Sequence, residues 1–403
     1  MPPLKRVGAF LACVLTCAAD AAAQELTETQ LVDLIVRDGA QARAIRLDVE
    51  VVRREQAART VLLNPSIAYT REGAGVTEFL QAEQVLPIFG SRGALAEAGA
   101  AATLAAEAER DGRLWQLRAD ARSFVARLLA EEERVEASAV TIHEVERIIG
   151  LLQIRETEGE GSRFDRLRAE QELADVRQTS LEAAASAAEV RAAIAAVIAD
   201  GTRVTRVAGV LYVDREIPPV DALNDRALTA RGELRALSAA AERYRLEADA
   251  AQRARLPAPT IVGGLKRVQG PAGRETGGLF GISVTVPLFD SGGRESARWL
   301  AERDRTEAER ALTTQNIRAQ VTAASEVLAM RQEAIRIAEA GSPAAELTRI
   351  AELSYTEGEA GILELLDAHR TAARARVRSI DMRLAARLAQ IALERVVGDT
   401  LWP

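Results

Sequence analysis

Few residues in this sequence have side chains that do chemistry. The chain has two histidines, His143 and His369, and two cysteines, Cys13 and Cys17. Each histidine lies alone in a helical pattern, without a second histidine or cysteine at the spacing of a metal-ligand set. Both are therefore interpreted as ordinary helix residues, on a surface or between helices. We expect no catalytic residue, no resident metal and no cofactor, and hence a protein that is not an enzyme.

Acidic residues are the one chemical group that the sequence concentrates. Two stretches are nearly identical, TEGEG from Thr157 and TEGEA from Thr356. Their carboxylates belong to Glu158, Glu160, Glu357 and Glu359. Glycine after a helical pattern supplies the backbone angles that end a helix, so each stretch is predicted to be a turn. Carboxylates gathered at one end of a structure favour cations, because their negative fields add.

The N-terminus has the pattern of a secretory signal peptide. Lys5 and Arg6 precede an apolar stretch that ends at Ala19, and small residues continue to Ala23. We place the signal at residues 1–23, with cleavage after Ala23. Both cysteines lie within it, and an acylated cysteine is the alternative interpretation. The net charge of −7 argues against nucleic acid as a partner.

Two pairs of short segments alternate between apolar and polar residues, as strands do. The clearest segment is 278–289, and its counterpart is 78–89. The apolar face of segment 278–289 contains Phe280, Ile282, Val284 and Val286. With the partner segment before each, the pattern predicts hairpins at about 64–89 and 258–289, the second with a turn over 269–277. Such hairpins occur both in soluble proteins and in membrane barrels.

A very long helical pattern follows each hairpin. Residues 92–157 contain no proline, and residues 292–357 contain one proline, Pro343. We expect a local break in the helix at Pro343. Each stretch would be roughly 100 Å long as a continuous helix, far beyond the usual length in globular proteins. After each acidic turn a second helix returns, over 163–199 and 362–397.

The two halves of the chain repeat one another. Pro87 and Pro287 each end a strand pattern, and Gly93 and Gly293 follow at the same distance. The two acidic turns are separated along the chain by nearly the same number of residues as the two prolines. Two matches at a nearly constant offset indicate a tandem repeat.

Each repeat has the order helix, β-hairpin, long helix, return helix. We place the first repeat at residues 24–200 and the second at 222–403, joined at 201–221 by a linker or small equatorial segment. Four strands cannot close a barrel, and open strand edges are costly in lipid because their backbone groups stay unpaired. If the strands lie in a membrane, several copies of the chain must therefore pool them.

These features together resemble the TolC-type outer membrane factors, which form the outer membrane efflux protein family. The resemblance covers essentially all of the mature chain. It rests on the signal pattern, the strand exits at Pro87 and Pro287, and the acidic turns at Gly159 and Gly358. The wording GEAGILELLDA, residues 358–368, also looks like the heavy-metal branch of the family.

The resemblance implies a mainly α-helical fold with a small β part. Three chains would form an α-helical barrel topped by a twelve-stranded transmembrane β-barrel, with four strands from each protomer. The strands would lie in outer membrane lipid and the helices in the periplasm. The partners would be a periplasmic adaptor protein and an inner-membrane transporter of the RND type. Together they would export metal cations, drugs or other small molecules.

The same resemblance implies roles for individual residues. In the family a tyrosine, an aspartate and an arginine close the periplasmic tip, which opens when the adaptor docks. Tyr355 and Asp165 match the first two positions, whereas Ala360 stands at the arginine position, with Arg163 as the candidate replacement. The residues around the tip would be Asp165, Tyr355, Arg163, Glu158, Glu160, Glu357 and Glu359, on turns at Gly159 and Gly358. The transition from barrel to helix would use Pro87, Pro287, Gly93 and Gly293.

The main alternative is a soluble periplasmic coiled-coil protein, either an adaptor or a scaffold. An adaptor is expected to have one helical hairpin between β-rich modules rather than a tandem repeat. A scaffold has no need of strands with an unbroken apolar face. A periplasmic enzyme is disfavoured because the acidic residues lie along helix faces with arginine partners, as solvated helices show.

Overall fold

The structure is a computed structural model that describes residues 24–73, 76–198, 204–253, 255–271, 273–286, 289, 292–341 and 343–402. The predicted signal peptide with both cysteines, and Pro287 in the second strand exit, lie outside the described residues. None of the described helices combines the length and the apolar character needed to cross a membrane.

The two halves of the chain have matching series of elements. The first half consists of β1 (Gln24–Thr27), α1 (Glu28–Asp38), α2 (Ala40–Arg59), β2 (Ser66–Glu72), β3 (Thr77–Val85), α3 (Ser91–Glu158) and α4 (Arg163–Val197). The second half consists of β4 (Val204–Ala208), α5 (Val220–Ala230), α6 (Gly232–Arg253), β5 (Pro259–Gly270), β6 (Gly273–Val284), α7 (Gly293–Ala340), α8 (Ala344–Thr356) and α9 (Ile362–Val397). Helices α7 and α8 together stand where α3 stands in the first half.

The long helices dominate the molecule. Helix α3 has 68 residues, which corresponds to about 100 Å. Its counterpart α7 has 48 residues and ends at Ala340, and Pro343 is the N-cap of α8. The break expected at Pro343 is confirmed. Proline interrupts a helix there because it lacks an N–H donor and its ring clashes with the preceding turn.

Small residues let these helices approach closely. A Cβ atom on Gly232 would lie 2.4 Å from the carbonyl oxygen of Ala108, where α6 meets α3. Backbone contact of this kind leaves no room for a side chain. It shows how a chain with only 3% aromatic residues packs long helices side by side.

A buried ion pair joins the two halves below the sheet. Arg59, at the end of α2, donates to both carboxylate oxygens of Glu247 on α6, at 2.5 and 2.8 Å. Glu247 is 2% exposed. Removing one partner of such a pair leaves an uncompensated buried charge, so the pair holds α2 and α6 in a defined relation.

Both halves contain a helix break that the sequence analysis did not predict. Gly39 separates α1 from α2, and Arg231 separates α5 from α6, each in an extended conformation. Their N–H groups still donate to the carbonyl oxygens of Ile35 and Ala227, four residues back. The available signal was a glycine at or beside each break, Gly39 and Gly232.

The four long strands form one antiparallel sheet in the order β2-β3-β5-β6. The pairing of β3 with β5 joins the hairpins of the two halves. Its register places one row of residues side by side across the sheet, namely Ile67, Ala82, Gly263 and Phe280. Since side chains alternate along a strand, Leu80 and Ile282 lie on that same face. The apolar faces predicted separately for the two hairpins therefore form a single surface.

The second hairpin has a tighter turn than the one predicted over 269–277. Strands β5 and β6 pair as far as Gly270 and Gly273. Gly273 has a φ of 119°, which glycine adopts without steric cost. The strand expected from residue 278 therefore begins at Gly273 and ends at Val284.

The described part of the segment between the repeats, residues 204–221, is docked on the helices. Strand β4 pairs in parallel with β1. Buried Gln390 donates to the carbonyl oxygen of Val213 at 2.9 Å, and buried Gln332 donates to Asp214 Oδ1 at 2.8 Å. Burial, together with the hydrogen bond to Asp214, raises the pKa of Tyr212 to about 12. The described part of this segment, residues 204–221, is thus a strap held on the helices.

The ladder of the sheet ends at Pro87. The N–H of Leu86 donates to the carbonyl oxygen of Pro259 at 2.8 Å, immediately before the proline. Because Pro87 has no N–H, it cannot extend the pairing.

A left-handed glycine then turns the chain into each long helix. Gly90 has a φ of 77° and Gly292 a φ of 68°, and they are the N-caps of α3 and α7. Gly93 and Gly293, which are predicted from sequence for this transition, lie within those helices. The positions that need a positive φ, which favours glycine, are therefore Gly90 in the first half and Gly292 in the second.

Gly292→Ala should destabilise the protein. The new Cβ would lie 2.4 Å from the carbonyl oxygen of Ala251, and the positive φ is unfavourable for alanine. We expect the free energy of unfolding to fall by about 1–3 kcal/mol, seen as a lower unfolding midpoint by circular dichroism. Gly93→Ala is the matched control, because its Cβ would meet nothing within 4 Å. Equal midpoints for the two variants would contradict this account.

Candidate functional site at the acidic turns

The two acidic turns have the same backbone conformation. Gly159 and Gly358 both have a φ of 78°. In the first turn the N–H of Glu160 donates to the carbonyl oxygen of Arg155 at 2.9 Å. In the second turn the N–H of Glu359 donates to the carbonyl oxygen of Ser354 at 2.9 Å. This is the Schellman ending of a helix, in which a left-handed glycine redirects the last carbonyl groups.

The turns present uncompensated negative charge to solvent. All four glutamates are exposed, namely Glu158, Glu160, Glu357 and Glu359. Within the described part of the chain, none of their carboxylates has an ion-pair partner. Arg163 is also exposed, at the start of α4. The site therefore has the acidic character that the sequence indicates.

An arginine that the sequence analysis did not select holds Tyr355. The guanidinium carbon of Arg155 lies 5.0 Å from the centre of the Tyr355 ring, which is a cation–π contact between the two halves. Arg155 has no counterpart in the second repeat, where Ser354 occupies the matching position. That difference between the repeats was the only available signal.

Within the described part of one chain, no hydrogen bond or ion pair joins the side chains of Tyr355, Asp165 and Arg163, which are expected at the tip. Asp165 is half-buried in the first turn of α4, where its backbone N–H donates to the carbonyl oxygen of Ser162. Its carboxylate is favourably placed at a helix N-terminus. The arginine in contact with Tyr355 is Arg155.

Apolar packing positions the turns. A buried cluster joins α3, α4 and α9 just behind them, with Leu152, Leu173, Ile362 and Leu365 among its members. Tyr355 packs against this cluster from α8. The four helix ends therefore meet at one place, and the acidic turns project beyond it.

Ion pairs between the helices make smaller contributions to the position of the acidic turns. Arg166 donates to Glu156 at 2.6 Å and so links α4 to α3. Arg147 donates to Glu352 at 2.5 Å and links α3 to α8. Both pairs are partly exposed, and such pairs contribute about 0–1 kcal/mol. The apolar cluster is thus the main support of the site.

His369 lies close by, buried between helices, in agreement with one of the interpretations from sequence. Among the described residues, no group of three or more histidine, cysteine or acidic side chains could hold a metal ion. The turns can therefore attract cations through their negative charge, but the described residues provide no set of metal ligands there.

At the opposite end of the molecule, the predicted apolar strand face is exposed. Phe280 is 74% and Ile282 64% exposed, and Val284 and Val286 are exposed as well. Val286 follows the last residue of β6. Contiguous apolar residues on a sheet face mark a surface that is covered in the working molecule.

Comparison with known proteins agrees with this architecture. Residues 223–399 match the family model described as outer membrane efflux protein. No curated protein matches the sequence significantly.

Several solved structures share the fold over almost the whole chain. CusC, studied for folding and transmembrane channel formation, has a TM-score of 0.75 at 14% identity, covering 93% of this chain and 92% of that chain. VceC, an outer membrane protein of Vibrio cholerae, has a TM-score of 0.73 at 16% identity, covering 92% and 96%. The MtrE outer membrane channel of Neisseria gonorrhoeae has a TM-score of 0.71 at 20% identity, covering 92% and 89%. This chain thus matches the outer membrane efflux protein family over residues 223–399, and it is similar in fold to solved outer membrane channels over nearly all of its length.

Proposed function

We propose that this protein is the outer membrane channel of a tripartite efflux pump. Three copies would form a passive duct, with a twelve-stranded β-barrel in the outer membrane and a helical tunnel in the periplasm. The observation that carries the proposal is a four-stranded sheet whose two outer edges have no partner among the described strands, attached to a helix of about 100 Å.

The open edges support assembly of several copies. Among the described strands, none pairs with the outer side of β2 or of β6. Backbone groups on such edges must be paired if the sheet lies in lipid, so β2 of one copy would pair with β6 of the next. Closure by three copies gives an even-numbered barrel without edges.

The two faces of the sheet support membrane placement. One face has the exposed apolar row that contains Ile67 and Phe280, together with Leu80 and Ile282. Gln84 is a polar residue on that face, and it donates to the carbonyl oxygen of Leu63 at 3.0 Å. The opposite face includes Ser66, Gln81 and Lys266 and would line a wet interior. Alternation of this kind is typical of barrels with lipid outside and water inside.

The acidic turns would form the periplasmic entrance. Asp165, Tyr355 and Arg163 would act at its closure, and Arg155 extends that set through its contact with Tyr355. Contacts of Asp165 and Arg163 would then be made between neighbouring copies. The exposed glutamates would favour cations at the entrance.

The pump partners follow from the same proposal. A periplasmic adaptor would dock on the helical ends, and an inner-membrane transporter of the RND type would supply the energy. Metal cations, drugs and other small molecules are the candidate substrates, and assignment to the heavy-metal branch stays a prediction. A soluble adaptor or scaffold is not favoured, because the fold is shared with outer membrane channels over 93% and 92% of the chain.

Disulfide cross-linking tests the pairing of β2 with β6. Cysteine at Ile67 or Tyr69 on β2 is combined with cysteine at Phe280 or Ile282 on β6. Within one chain β3 and β5 separate these strands, which places them about 14 Å apart, too far for a disulfide. We therefore expect at least one of the four pairs to give covalent dimers and trimers on non-reducing gels.

The control pairs cysteine at Leu80 with cysteine at Phe280. Leu80 lies on β3, which has a neighbour on both sides within its own chain, so no link between copies should form. Exclusively monomeric bands for all four test pairs would contradict the proposed barrel.

Charge removal tests the entrance. With all four turn glutamates changed to glutamine, the ratio of cation to anion permeability in planar bilayers should fall by about tenfold, because the focused negative field is lost. The control makes the same change at four exposed glutamates elsewhere, Glu295, Glu307, Glu309 and Glu326 on α7. An unchanged ratio, or an equal change in the control, would contradict the role of the turns.

A further inference from the structure

Four arginines lie where the sheet meets the long helices. Arg92 is the second residue of α3, and Arg253 donates to the carbonyl oxygen of Gly90, the N-cap of that helix, at 3.4 Å. Arg294 is the second residue of α7. A Cβ atom built on the N-cap of α7 would lie 3.5 Å from Cγ of Arg255. Since Arg253 and Arg255 are two residues apart in the chain, the two pairs are neighbours, and together they form an arginine cluster.

The arginine cluster carries positive charge that no described carboxylate neutralises. All four residues are exposed, and among the described residues none of the four has an ion-pair partner. The first turn of α3 contains no acidic residue. The acidic residue in the first turn of α7 is Glu295, and its carboxylate lies 3.4 Å from Arg298 instead. In a chain with a net charge of −7, these unpaired cations are a local concentration of the opposite sign.

The tandem repeat shows why Arg253 has no carboxylate partner. Counted back from the proline that precedes each strand pattern, Arg253 matches Arg59, which is paired with buried Glu247. The residue of the first half that matches Glu247 by the same count is Arg53. The second half therefore repeats the arginine, whereas the first half lacks the carboxylate that would neutralise it.

Arg92 and Arg294 are unfavourably placed for the protein alone. The N-terminal end of a helix carries partial positive charge, so a cation in the first turn is repelled and an anion is attracted. An external anion held by these arginines would offset that repulsion. The positions of the arginines thus indicate a negatively charged partner.

Exposed apolar residues adjoin the arginine cluster in the chain. Leu256 follows Arg255, and the residues just before α3 include Ile88 and Phe89, all of them exposed. The segment between α2 and β2 adds three more exposed apolar residues, Val61, Leu62 and Leu63. A small dissolved anion has no use for apolar neighbours. A lipid presents a phosphate group beside acyl chains and so matches both kinds of residue.

We propose that the arginine cluster binds the phosphate groups of anionic lipids in the inner leaflet of the outer membrane. The guanidinium groups donate to the phosphate oxygens, for which their planar geometry is suited. The adjoining apolar residues enter the acyl region, continuous with the apolar face around Phe280. The inference rests on the proposed placement of the sheet in that membrane.

Native mass spectrometry of the full-length mature protein in mild detergent tests the inference. Anionic phosphatidylglycerol and zwitterionic phosphatidylcholine are added at equal concentrations, and the ratio of the two bound lipids is measured. We expect the unaltered protein to prefer phosphatidylglycerol. In a variant with all four arginines replaced, that ratio should fall by about tenfold, because each cation near the lipid head groups adds to the attraction. The variant combines Arg92→Gln, Arg253→Gln, Arg255→Gln and Arg294→Gln.

The control makes the same change at four arginines farther along α7 and α9. They too are exposed and have no ion-pair partner among the described residues, and they are Arg318, Arg331, Arg374 and Arg378. The control should bind the two lipids in the same ratio as the unaltered protein.

A smaller variant covers the case in which the fourfold variant does not assemble. Arg92 and Arg253 each donate to a backbone carbonyl oxygen. The side chains of Arg255 and Arg294 make no hydrogen bond to a described residue. Arg255→Gln combined with Arg294→Gln should therefore leave the fold intact and lower the ratio by about threefold.

Three results would overturn the inference. The first is equal binding of the two lipids by the unaltered protein, and the second is an equal loss of preference in the control. The third is displacement of phosphatidylglycerol by an equal concentration of inorganic phosphate, because the arginines would then bind phosphate without a lipid.

The particle mass in the same spectra separates this inference from the proposed function. A particle of three chains without a preference for the anionic lipid contradicts the inference alone. A single chain that is soluble without detergent contradicts the membrane placement, and the inference fails with it.

Discussion

The pairing of backbone groups at the edges of the sheet constrains the rest of this molecule. A four-stranded antiparallel sheet leaves N–H and C=O groups of β2 and β6 without partners among the described strands. In water such edges are tolerated, but in hydrocarbon each unpaired group is costly. The apolar face around Phe280 makes water an unfavourable surrounding for the same sheet. Pairing between copies in lipid would remove both penalties together, because the edges would be paired and the apolar face would meet hydrocarbon.

The tandem repeat follows from that constraint. Each repeat supplies one hairpin to the sheet and one pair of long helices below it, joined by a single left-handed glycine at Gly90 or Gly292. The helices pack through small residues, as the contact of Gly232 with Ala108 shows, so that long helices stay close along their length. The two repeats then differ where function is expected. Arg155 of the first repeat contacts Tyr355 of the second repeat. The position that matches Arg155 in the second repeat holds Ser354, and the position that matches Tyr355 in the first repeat holds Glu156.

Periodicity was sufficient to predict the elements that repeat over long distances. The strand faces, the break at Pro343 and the paired acidic turns all left a pattern of many residues, or a residue with one strong backbone effect. The breaks at Gly39 and Arg231 left almost none, because one extended residue between two helices barely disturbs the helical pattern. Contacts between the halves, such as those of Arg155 and His369, depend on helix rotation, which a sequence pattern does not specify. Gly90 and Gly93 could not be distinguished for a similar reason, since only the backbone angle separates them.

The number of chains in the assembled particle tests the central claim most directly. The mature protein would be extracted in mild detergent from separated outer membranes, and the particle mass determined after subtraction of the detergent. The account predicts a particle of three chains in the outer membrane fraction. A single chain recovered from the soluble periplasmic fraction would contradict it, because the sheet would then be stable in water with its edges unpaired.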